Sequence, residues 1–577
     1  MAMTDQVCLD NAASKLIPRR PINLDPASKS SFDLARGWFQ TCLADHPKCP
    51  KPSLNFMPKR VISISQNQSE FTLRLVETEG IRDLYCALSY CWGGDQKTKA
   101  TKETLPQLKD GIAFDKLPAT LQDAVTTTHG LGLHYLFVDS LCILQDDEED
   151  MHTQIAQMSE IYSEAAITIL ASRAKGVEFS FLHKRQTSIP SSRSRDSLYK
   201  MSLRCPSGEL GSVVVLSNFS SGKNSSRPLE SRAWALQENL LSARTLDYED
   251  DHTTWRCSTM NNITDGWLST LEFLHKLGFA SVPEFLRPRS AIKATDETEH
   301  RVERRELFHQ WRRLVDYYAK LELSFPDDKL PAISALAGRM GSALGDEYLA
   351  GIWKSRIPRV LLWDVRHKYP RPRRYRAPSW SWAAVDGDPA RISSIDQSFS
   401  LEVFEGHTEL ESPAAPYGAV KGGHLVVRGR LRRVVLSGIK GRVYTRVGKS
   451  ESTKVKLTNL FHIVEPGWKG TEAWIPMSFD AVEQEFQDNA DMDIAMLEVS
   501  EDEFGPCHGL VLRPLGSQRF SRLGIFNYLY GPDYLDLGSS QGSEADGSLG
   551  RDGEWEPLYE KWLQGVRGCD LTTLTLV

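Results

Sequence analysis

The stretch from His134 to Ser172 constrains the fold of this chain most strongly. It begins with a short apolar run, Tyr135–Val138, and ends with a second one, Ala166–Ala171, and both are typical of buried strands. Between them the acidic run Asp146–Asp150 predicts the start of a helix, because carboxylates are stabilised at the positive end of a helix. Two strands joined by a helix predict a parallel βαβ unit with a right-handed crossover.

The same pattern extends toward the N-terminus. Tyr85–Tyr90 predicts a further buried strand, and Leu117-Pro118 predicts the start of another helix, with proline in its first turn. Residues 85–172 therefore predict a doubly wound α/β sheet of parallel strands. Upstream, residues 31–49 contain a predicted helix, and Arg60–Ile64 and Phe71–Val76 predict a hairpin. Downstream, Ser231–Leu241 predicts a helix with a buried face.

Composition shifts divide the remainder of the chain. Residues 1–30 are predicted to be a loose leader and residues 31–264 the α/β domain, in which the serine-rich segment 173–230 is an insertion with one predicted strand at Ser212–Leu216. Residues 265–374 are predicted to be helical, and residues 375–577 to form a β-rich C-terminal module. Within that module, residues 536–553 are of low complexity and predict a flexible loop, and a short helix is predicted near Trp555–Gln564.

Charge and hydropathy exclude several classes of partner. The 577 residues carry a net charge of −6, which gives no electrostatic case for binding nucleic acid or an anionic membrane. No charge-free apolar run reaches the roughly 18 residues that a membrane-spanning helix needs. The N-terminus has no apolar signal core, so the expected location is the cytoplasm, where the 10 cysteines would stay reduced.

One local cysteine and histidine pattern raises the question of a metal. Cys42, His46 and Cys49 have a spacing that suits zinc, but only three ligands are close in sequence and a fourth would have to come from elsewhere. The favoured interpretation is a capped helix end with two half-buried thiols, and no metal is assigned.

Candidate site residues follow the two best predicted strands. Asp139 lies directly after a buried strand, where ligands bind in open α/β sheets; it either orients a ligand or caps the next turn. Cys142, three residues later, is a rival nucleophile if a histidine is in reach, although a buried structural thiol is the commoner state. Gln145 is either a ligand contact or a loop hydrogen bond. Gly93 and Gly94 would let the backbone approach a phosphate, or simply form a tight turn.

Several motifs together resemble the fungal heterokaryon incompatibility (HET) domain family. They are YCALSYCWGG at 85–94, LPATLQDAV at 117–125, LGLHYLFVDSLCILQDD at 131–147, MSEIYSEAAITILAS at 158–172, SRAWALQENLLSARTL at 231–246 and TTWRC at 253–257. The resemblance covers roughly residues 40–260, and it implies a role in nonself recognition and programmed cell death.

HET domains in turn resemble TIR domains, and this comparison implies particular site residues. Ser89 and Tyr90 match the turn that ends the first TIR strand. Trp234 and Glu238 match the TIR pair in which a tryptophan is followed four residues later by the glutamate that cleaves NAD. The resemblance therefore implies a TIR-like parallel sheet, with Glu238 as the catalytic residue and NAD or a related nucleotide as the substrate.

The residues themselves are compatible with such chemistry, since breaking a nicotinamide–ribose bond builds positive charge on the sugar, as glycoside cleavage does. A carboxylate near that carbon would stabilise the charge, and Trp92 or Trp234 would stack on a ring. No cofactor is required.

Three classes of function remain open. The first is a hydrolase of NAD or a related nucleotide that acts through Glu238, with Asp139 and the Gly93–Gly94 turn beside it. The second is a non-catalytic interaction module that associates with itself or with other incompatibility proteins. The third is a small-molecule enzyme, for example a biosynthetic one, that uses Cys142 or Asp139.

Overall fold

The computed structural model describes residues 12, 23–68, 70–185, 198–216, 227–250, 252–260, 263–264, 297–365, 368–387, 389–391, 398–436, 445–447, 454–456, 459–464, 473–481, 492–501, 508–527 and 569–577. The chain divides into two compact units, Met1–Phe325 with Ala332–Ala343, and Pro326–Pro331 with Leu344–Val577. The predicted flexible loop 536–553, the short helix near Trp555–Gln564 and most of the predicted leader lie outside the described residues.

An eight-stranded sheet forms the centre of the first unit, in the order β10-β9-β8-β5-β3-β4-β1-β2. Its strands are β1 (Arg60–Asn67), β2 (Glu70–Glu77), β3 (Tyr85–Ser89), β4 (Tyr135–Phe137), β5 (Ile167–Leu170), β8 (Arg244–Tyr248), β9 (Thr253–Cys257) and β10 (Ile263–Thr264). The four inner strands β8, β5, β3 and β4 are parallel, and antiparallel strands flank them on both sides. All residues of β3 and β5 are buried, as expected for parallel strands covered on both faces.

Nine α-helices occur among the described residues, and several of them connect or cover these strands. They are α1 (Lys29–Asp45), α2 (Leu105–Asp110), α3 (Ala119–Gly130), α4 (Asp139–Cys142), α5 (Glu148–Ala156), α6 (Met158–Glu164), α7 (Ala233–Leu241), α8 (Glu297–Tyr318) and α9 (Ser334–Leu344). None of the helices described here is long and apolar enough to cross a bilayer. The prediction of an α/β N-terminal region with a parallel sheet is confirmed.

The order of the parallel strands defines a topological switch point at one edge of the sheet. Across the sheet the parallel strands follow one another as β4, β3, β5 and β8. The second parallel strand along the chain, β4, thus lies on one side of the first, β3, and the later strands lie on the other side. The chain runs from β3 to β4 on one side and then crosses to β5 on the other side of β3. A topological switch point therefore lies between the carboxyl ends of β3 and β5. Helix α7 packs against both of these strands, which brings its side chains to this edge.

Two local details differ from the sequence-based expectations. The single helix predicted after Asp146 is interrupted at Gln157, and Met151 and Ile155 are only half-buried. The inner face of α5 instead buries Asp150, whose carboxylate accepts hydrogen bonds from Lys59 (2.8 Å), from Arg60 and from the backbone N–H of Leu144 (2.9 Å). An ion pair thus occupies the buried face of α5.

The insertion contains a hairpin of which the sequence predicted one half. The predicted strand at Ser212–Leu216 is part of β7 (Leu210–Leu216), and it pairs antiparallel with β6 (Leu198–Arg204), which was missed.

The second unit is rich in β-structure, as predicted. Its strands are β11 (Tyr348–Leu349), β12 (Ile352–Trp353), β13 (Trp363–Val365), β14 (Pro389–Arg391), β15 (Ser398–Phe399), β16 (Glu402–Leu410), β17 (Val420–Leu436), β18 (Thr445–Val447), β19 (Lys454–Lys456), β20 (Asn459–Val464), β21 (Ala473–Phe479), β22 (Met492–Glu501), β23 (His508–Pro514), β24 (Arg519–Asn527) and β25 (Leu571–Leu576). Nine of them form one sheet, in which the long strand β17 pairs with both β20 and β22, so the pairing closes on itself.

Candidate functional site

Glu238 is a buried carboxylate that helix α7 directs toward the end of β3. Only 9% of the residue is exposed, although a glutamate on a short helix is usually solvated. Its Oε2 accepts a hydrogen bond from the hydroxyl of Ser89, the last residue of β3. The hydroxyl of Ser242 donates to the backbone carbonyl of Glu238 at 2.6 Å, which fixes the last turn of α7. The side chain therefore lies beside the switch point of the sheet.

The surroundings of Glu238 favour its neutral form. Burial raises the pKa of Glu238 to about 7, and the negative charge of Asp139 adds to the rise. The hydrogen bond from Ser89, the positive charge of Arg232 and the nearby hydroxyl of Tyr162 lower the pKa and so oppose the rise. A carboxyl group with a pKa near neutrality is suited to exchanging protons during a reaction.

Asp139 is the second carboxylate of the site, and both of its oxygens have partners. Trp92 Nε1 donates to Oδ2 at 2.9 Å, and the backbone N–H of Ser140 donates to Oδ1 at 2.7 Å. Burial raises the pKa of Asp139, and the hydrogen bond from Trp92 opposes this. Asp139 thus holds the indole of Trp92 in place and accepts the N–H of the next residue at the start of α4 (Asp139–Cys142), and its charge is felt at Glu238.

Tyr90 ties the ends of β3 and β4 together. Its hydroxyl donates to the hydroxyl of Ser140 at 2.9 Å and accepts a hydrogen bond from Gln96 Nε2 at 2.9 Å. Its backbone carbonyl accepts a hydrogen bond from a guanidinium N–H of Arg232, the N-cap residue of α7. The structure therefore brings Ser89, Tyr90, Asp139 and Glu238 together, as the sequence comparison implied for a site.

Arg232 and Tyr162 belong to this cluster and were not singled out from the sequence. Arg232 supplies the positive charge that acts on Glu238, Asp139 and Cys91. Tyr162, on α6, donates its hydroxyl to the backbone carbonyl of Leu88 at 3.2 Å. The position of Arg232 two residues before Trp234 was a usable signal, because both lie in the motif that carries Glu238.

The placement of Cys142 argues against a nucleophilic role. The residue is fully buried, and its sulfur accepts the backbone N–H of Val138 at 3.4 Å. Burial raises the pKa of Cys142 to about 12, so the thiol stays protonated near neutral pH. No histidine contact to this sulfur occurs among the described residues. The commoner interpretation, a structural thiol, fits this geometry.

Gln145 and Trp234 take different positions in the site region. The amide of Gln145 donates to the backbone carbonyls of Ile143 at 3.0 Å and Asp139 at 3.3 Å, so it stabilises the loop after β4. Trp234 is half-buried on α7, one turn before Glu238. Its ring is thus partly open to solvent near the catalytic candidate.

In the Gly93–Gly94 turn, packing leaves no room for a side chain at Gly93 but does leave room at Gly94. Gly93 has a φ of +76°, and a Cβ there would lie 2.8 Å from the backbone Cα of Gly176. Gly94 has a φ of +124°, and a Cβ there would meet nothing within 4 Å. The close approach at Gly93 is therefore to another backbone segment of the chain, whereas Gly94 is exposed and open.

Substitution of Gly93 by alanine is expected to destabilise the first unit by about 2 kcal/mol, because the positive φ and the contact with Gly176 both penalise a side chain. The matched variant Gly94→Ala keeps the φ strain but meets no neighbour, so we expect a smaller loss. Urea unfolding of the two variants would measure the difference. Equal losses would contradict a packing role for Gly93.

The second unit contains a separate cleft of about 530 Å³. Its lining includes Arg371, Arg374, Arg376, Arg519 and His424. All of its lining residues belong to the second unit, so the cleft is not part of the Glu238 cluster.

Comparison with known families assigns the region that holds this cluster. Residues 85–238 match the family described as Heterokaryon incompatibility protein (HET). The chain contains a HET domain. The matched span begins with the first residue of β3 and ends with Glu238, so it includes all the carboxylate, aromatic and arginine residues described around the switch point.

A curated relative agrees with this assignment of the HET domain. Heterokaryon incompatibility protein 6, OR allele, from Neurospora crassa is 36% identical over 89 residues. The aligned region covers 14% of this chain and 13% of the relative, so the chain spans only a small part of that protein's length. No solved structure matches the chain.

Proposed function

We propose that this protein acts in fungal nonself recognition, and that its HET domain promotes cell death by hydrolysing NAD or a related nucleotide at Glu238. The observation that carries the proposal is the buried Glu238 carboxylate, hydrogen-bonded to Ser89 at the carboxyl end of β3. The HET family match and the incompatibility relative from Neurospora crassa support the biological role.

A TIR-like arrangement of the sheet is part of the proposal. The order of β4, β3, β5 and β8 places the switch point beside Ser89, where nucleotides bind in related doubly wound sheets. The four-residue spacing of Trp234 and Glu238 on α7 matches the pair implied by the TIR comparison. The strand order and the placement of both residues on one helix support the comparison with TIR domains.

The proposed reaction breaks the bond between the nicotinamide nitrogen and C1′ of the ribose. The bonding electrons go to the pyridinium nitrogen, which becomes neutral, and the positive charge that builds on the sugar is stabilised by the ionised Glu238 carboxylate. Water then adds to C1′ and releases a proton, which Glu238 can accept because its pKa lies near 7. The products are nicotinamide, ADP-ribose and one proton.

Other residues of the cluster have positioning roles in this proposal. Asp139 holds Trp92 by a hydrogen bond of 2.9 Å, which fixes the orientation of an aromatic ring beside the site. Arg232, half-exposed at the start of α7, supplies positive charge toward a phosphate group. The exposed Gly94 lets the backbone come close to the same phosphate.

The test is the release of nicotinamide from NAD by the purified full chain. Replacement of Glu238 by glutamine preserves the shape and the hydrogen bond to Ser89 but removes the negative charge, so we expect at least a roughly 100-fold loss of rate. The matched control is Glu160→Gln, which removes an exposed carboxylate from the neighbouring helix α6 and should leave the rate unchanged.

We also propose that copies of the chain associate with one another, so the assay is repeated at high protein concentration. Release by the native chain and by Glu160→Gln, but not by Glu238→Gln, is the expected result. Equal release by both variants, or no release at any protein concentration, would contradict nucleotide hydrolysis at Glu238. We propose the cytoplasm as the location of this activity.

A further inference from the structure

Three cysteines and one histidine meet where α1 and the loop after it pack against β9. Cys42 lies in the last turn of α1, and His46 follows its end. Cys49 lies three residues beyond His46, and Cys257 is the last residue of β9. Their ligand atoms all lie within 4.8 Å of one another.

The distances inside this group match those of a tetrahedral metal site. Nδ1 of His46 lies 3.4 Å from the sulfur of Cys257 and 3.8 Å from the sulfur of Cys49. Zinc binds sulfur at about 2.3 Å and imidazole nitrogen at about 2.0–2.1 Å, so tetrahedral ligands are roughly 3.5–3.8 Å apart. With all four ligand atoms within 4.8 Å of one another, the side chains are close enough to converge on one ion.

The four residues are shielded from solvent to a similar degree. Cys42 is 1% exposed, Cys49 5% and Cys257 0%, and His46 is 8% exposed. A buried imidazole needs partners for its polar atoms, and the described contacts of His46 Nδ1 are with sulfur atoms. Sulfur of a neutral thiol is a weak hydrogen-bond partner, whereas a metal ion would satisfy the nitrogen and all three sulfurs together.

The charges around the group favour thiolates. Arg244 is 1% exposed, and its Nε donates to the sulfur of Cys42 at 3.2 Å. Within the part of the chain that the structure describes, Arg244 forms no ion pair with a carboxylate. Arg244 also faces Cys257 across the β8–β9 ladder. A buried guanidinium requires a compensating negative charge, and a zinc ion with three thiolates and one neutral imidazole carries a net charge of −1.

We propose that Cys42, His46, Cys49 and Cys257 bind one Zn²⁺ ion in a closed structural site. Four protein ligands complete the tetrahedral shell and leave no open position for catalysis. The ion joins α1 and the loop after it to β9. These segments are far apart in sequence, since 211 positions separate His46 from Cys257. The backbone N–H of Met260 donates to the sulfur of Cys257 at 3.3 Å and orients this ligand.

The first test is the metal content of the full chain, expressed with added zinc and dialysed against metal-free buffer. We expect about one zinc per chain, the stoichiometry of a single tetrahedral site. Cys257→Ser is expected to lose the metal. Cys86→Ser is the matched control, since Cys86 is also fully buried on a strand of the same sheet, and it should retain zinc.

A second measurement decides the matter even if Cys257→Ser does not fold. The native chain is stripped of metal under reducing conditions and titrated with Co²⁺, which gives visible absorption typical of tetrahedral cobalt with thiolate ligands when the site forms. Zinc should displace this absorption. A reduced native chain that contains no zinc and binds neither Zn²⁺ nor Co²⁺ would overturn the proposal. A disulfide between any two of the three cysteines, found by peptide mapping without reduction, would overturn it as well.

Discussion

Replacement of Glu238 by glutamine is expected to raise the free energy of unfolding by about 3 kcal/mol at pH 8, and by little at pH 4. Burial raises the pKa of Glu238 from 4.5 to about 7 in the folded protein. Each unit of difference between the folded and unfolded pKa corresponds to about 1.4 kcal/mol, so keeping an ionised carboxylate at this position costs about 3 kcal/mol.

The sign follows from proton binding. Between pH 4.5 and about 7 the folded protein holds the Glu238 proton more tightly than the unfolded chain does, so the stability of the native protein falls as the pH rises through this window. Glutamine does not titrate, and it can still accept the hydrogen bond from Ser89. The difference in stability between the two proteins therefore opens above pH 4.5 and levels off above pH 7.

Urea unfolding of the full chain at a series of pH values measures this effect. Hydrogen exchange in peptides from β3 and α7 reports on the first unit specifically. Glu160→Gln serves as the control, since the loss of an exposed carboxylate should change stability little at any pH. A stability difference for Glu238→Gln that is independent of pH, or that has the opposite sign, would refute the assigned pKa shift.

This result bears on why the chain has a carboxylate at position 238. A group that destabilises the fold at neutral pH is characteristic of functional sites, where activity is maintained at the expense of stability. If Glu238→Gln is more stable and also fails to release nicotinamide, the loss of activity cannot be attributed to unfolding. The two measurements together separate a catalytic role from a structural one.

The strands that build the site could be predicted from sequence because their signals are local. β3, β4, β5 and α7 lie within one or two residues of the predicted segments, since apolar runs end there at serine or aspartate residues. Their parallel arrangement followed from the helices between them. The comparison with TIR domains then predicted that Glu238 and Ser89 belong to one site.

The burial and the partners of these residues could not be predicted in the same way. Ser89 and Glu238 are 149 residues apart, and helical periodicity does not say which face of α7 turns toward β3. The same limit applies to the proposed zinc site, because three ligands are local whereas Cys257 comes from β9. Long-range contacts depend on the order of strands in the sheet, which the local pattern leaves open.

Removal of the Asp480 carboxylate is expected to destabilise the second unit by about 3–5 kcal/mol, the usual cost of leaving a buried charge without its partner. Asp480 and Arg522 are both fully buried. Arg522 donates to the two carboxylate oxygens at 2.7 and 3.0 Å, an arrangement in which both groups are charged and well aligned. Burial raises the pKa of Asp480, and the guanidinium of Arg522 opposes this.

The remaining contacts of Arg522 explain why the guanidinium cannot escape to solvent in Asp480→Ala. It donates to the backbone carbonyl of Leu361 and to that of Trp363 at 2.5 Å, and it lies 3.5 Å from the centroid of the Trp363 ring. These groups hold the cation inside the unit, but none of them supplies a negative charge. The loss of the carboxylate therefore leaves the charge buried and unpaired.

Two further variants make this prediction specific to a buried pair. Glu347→Ala removes one partner of the ion pair between Glu347 and Lys354, whose side chains are 53% and 42% exposed, so we expect a loss within about 1 kcal/mol. The double variant Asp480→Leu with Arg522→Met replaces both buried charges by apolar groups and should recover most of the stability lost in Asp480→Ala. Urea unfolding of the full chain, with hydrogen exchange in peptides from β21 and β24, measures all three. Two results would contradict the expected cost of an unpaired buried charge. One is a loss of unfolding free energy in Asp480→Ala that is no larger than the loss in Glu347→Ala, and the other is a double variant that is less stable than Asp480→Ala.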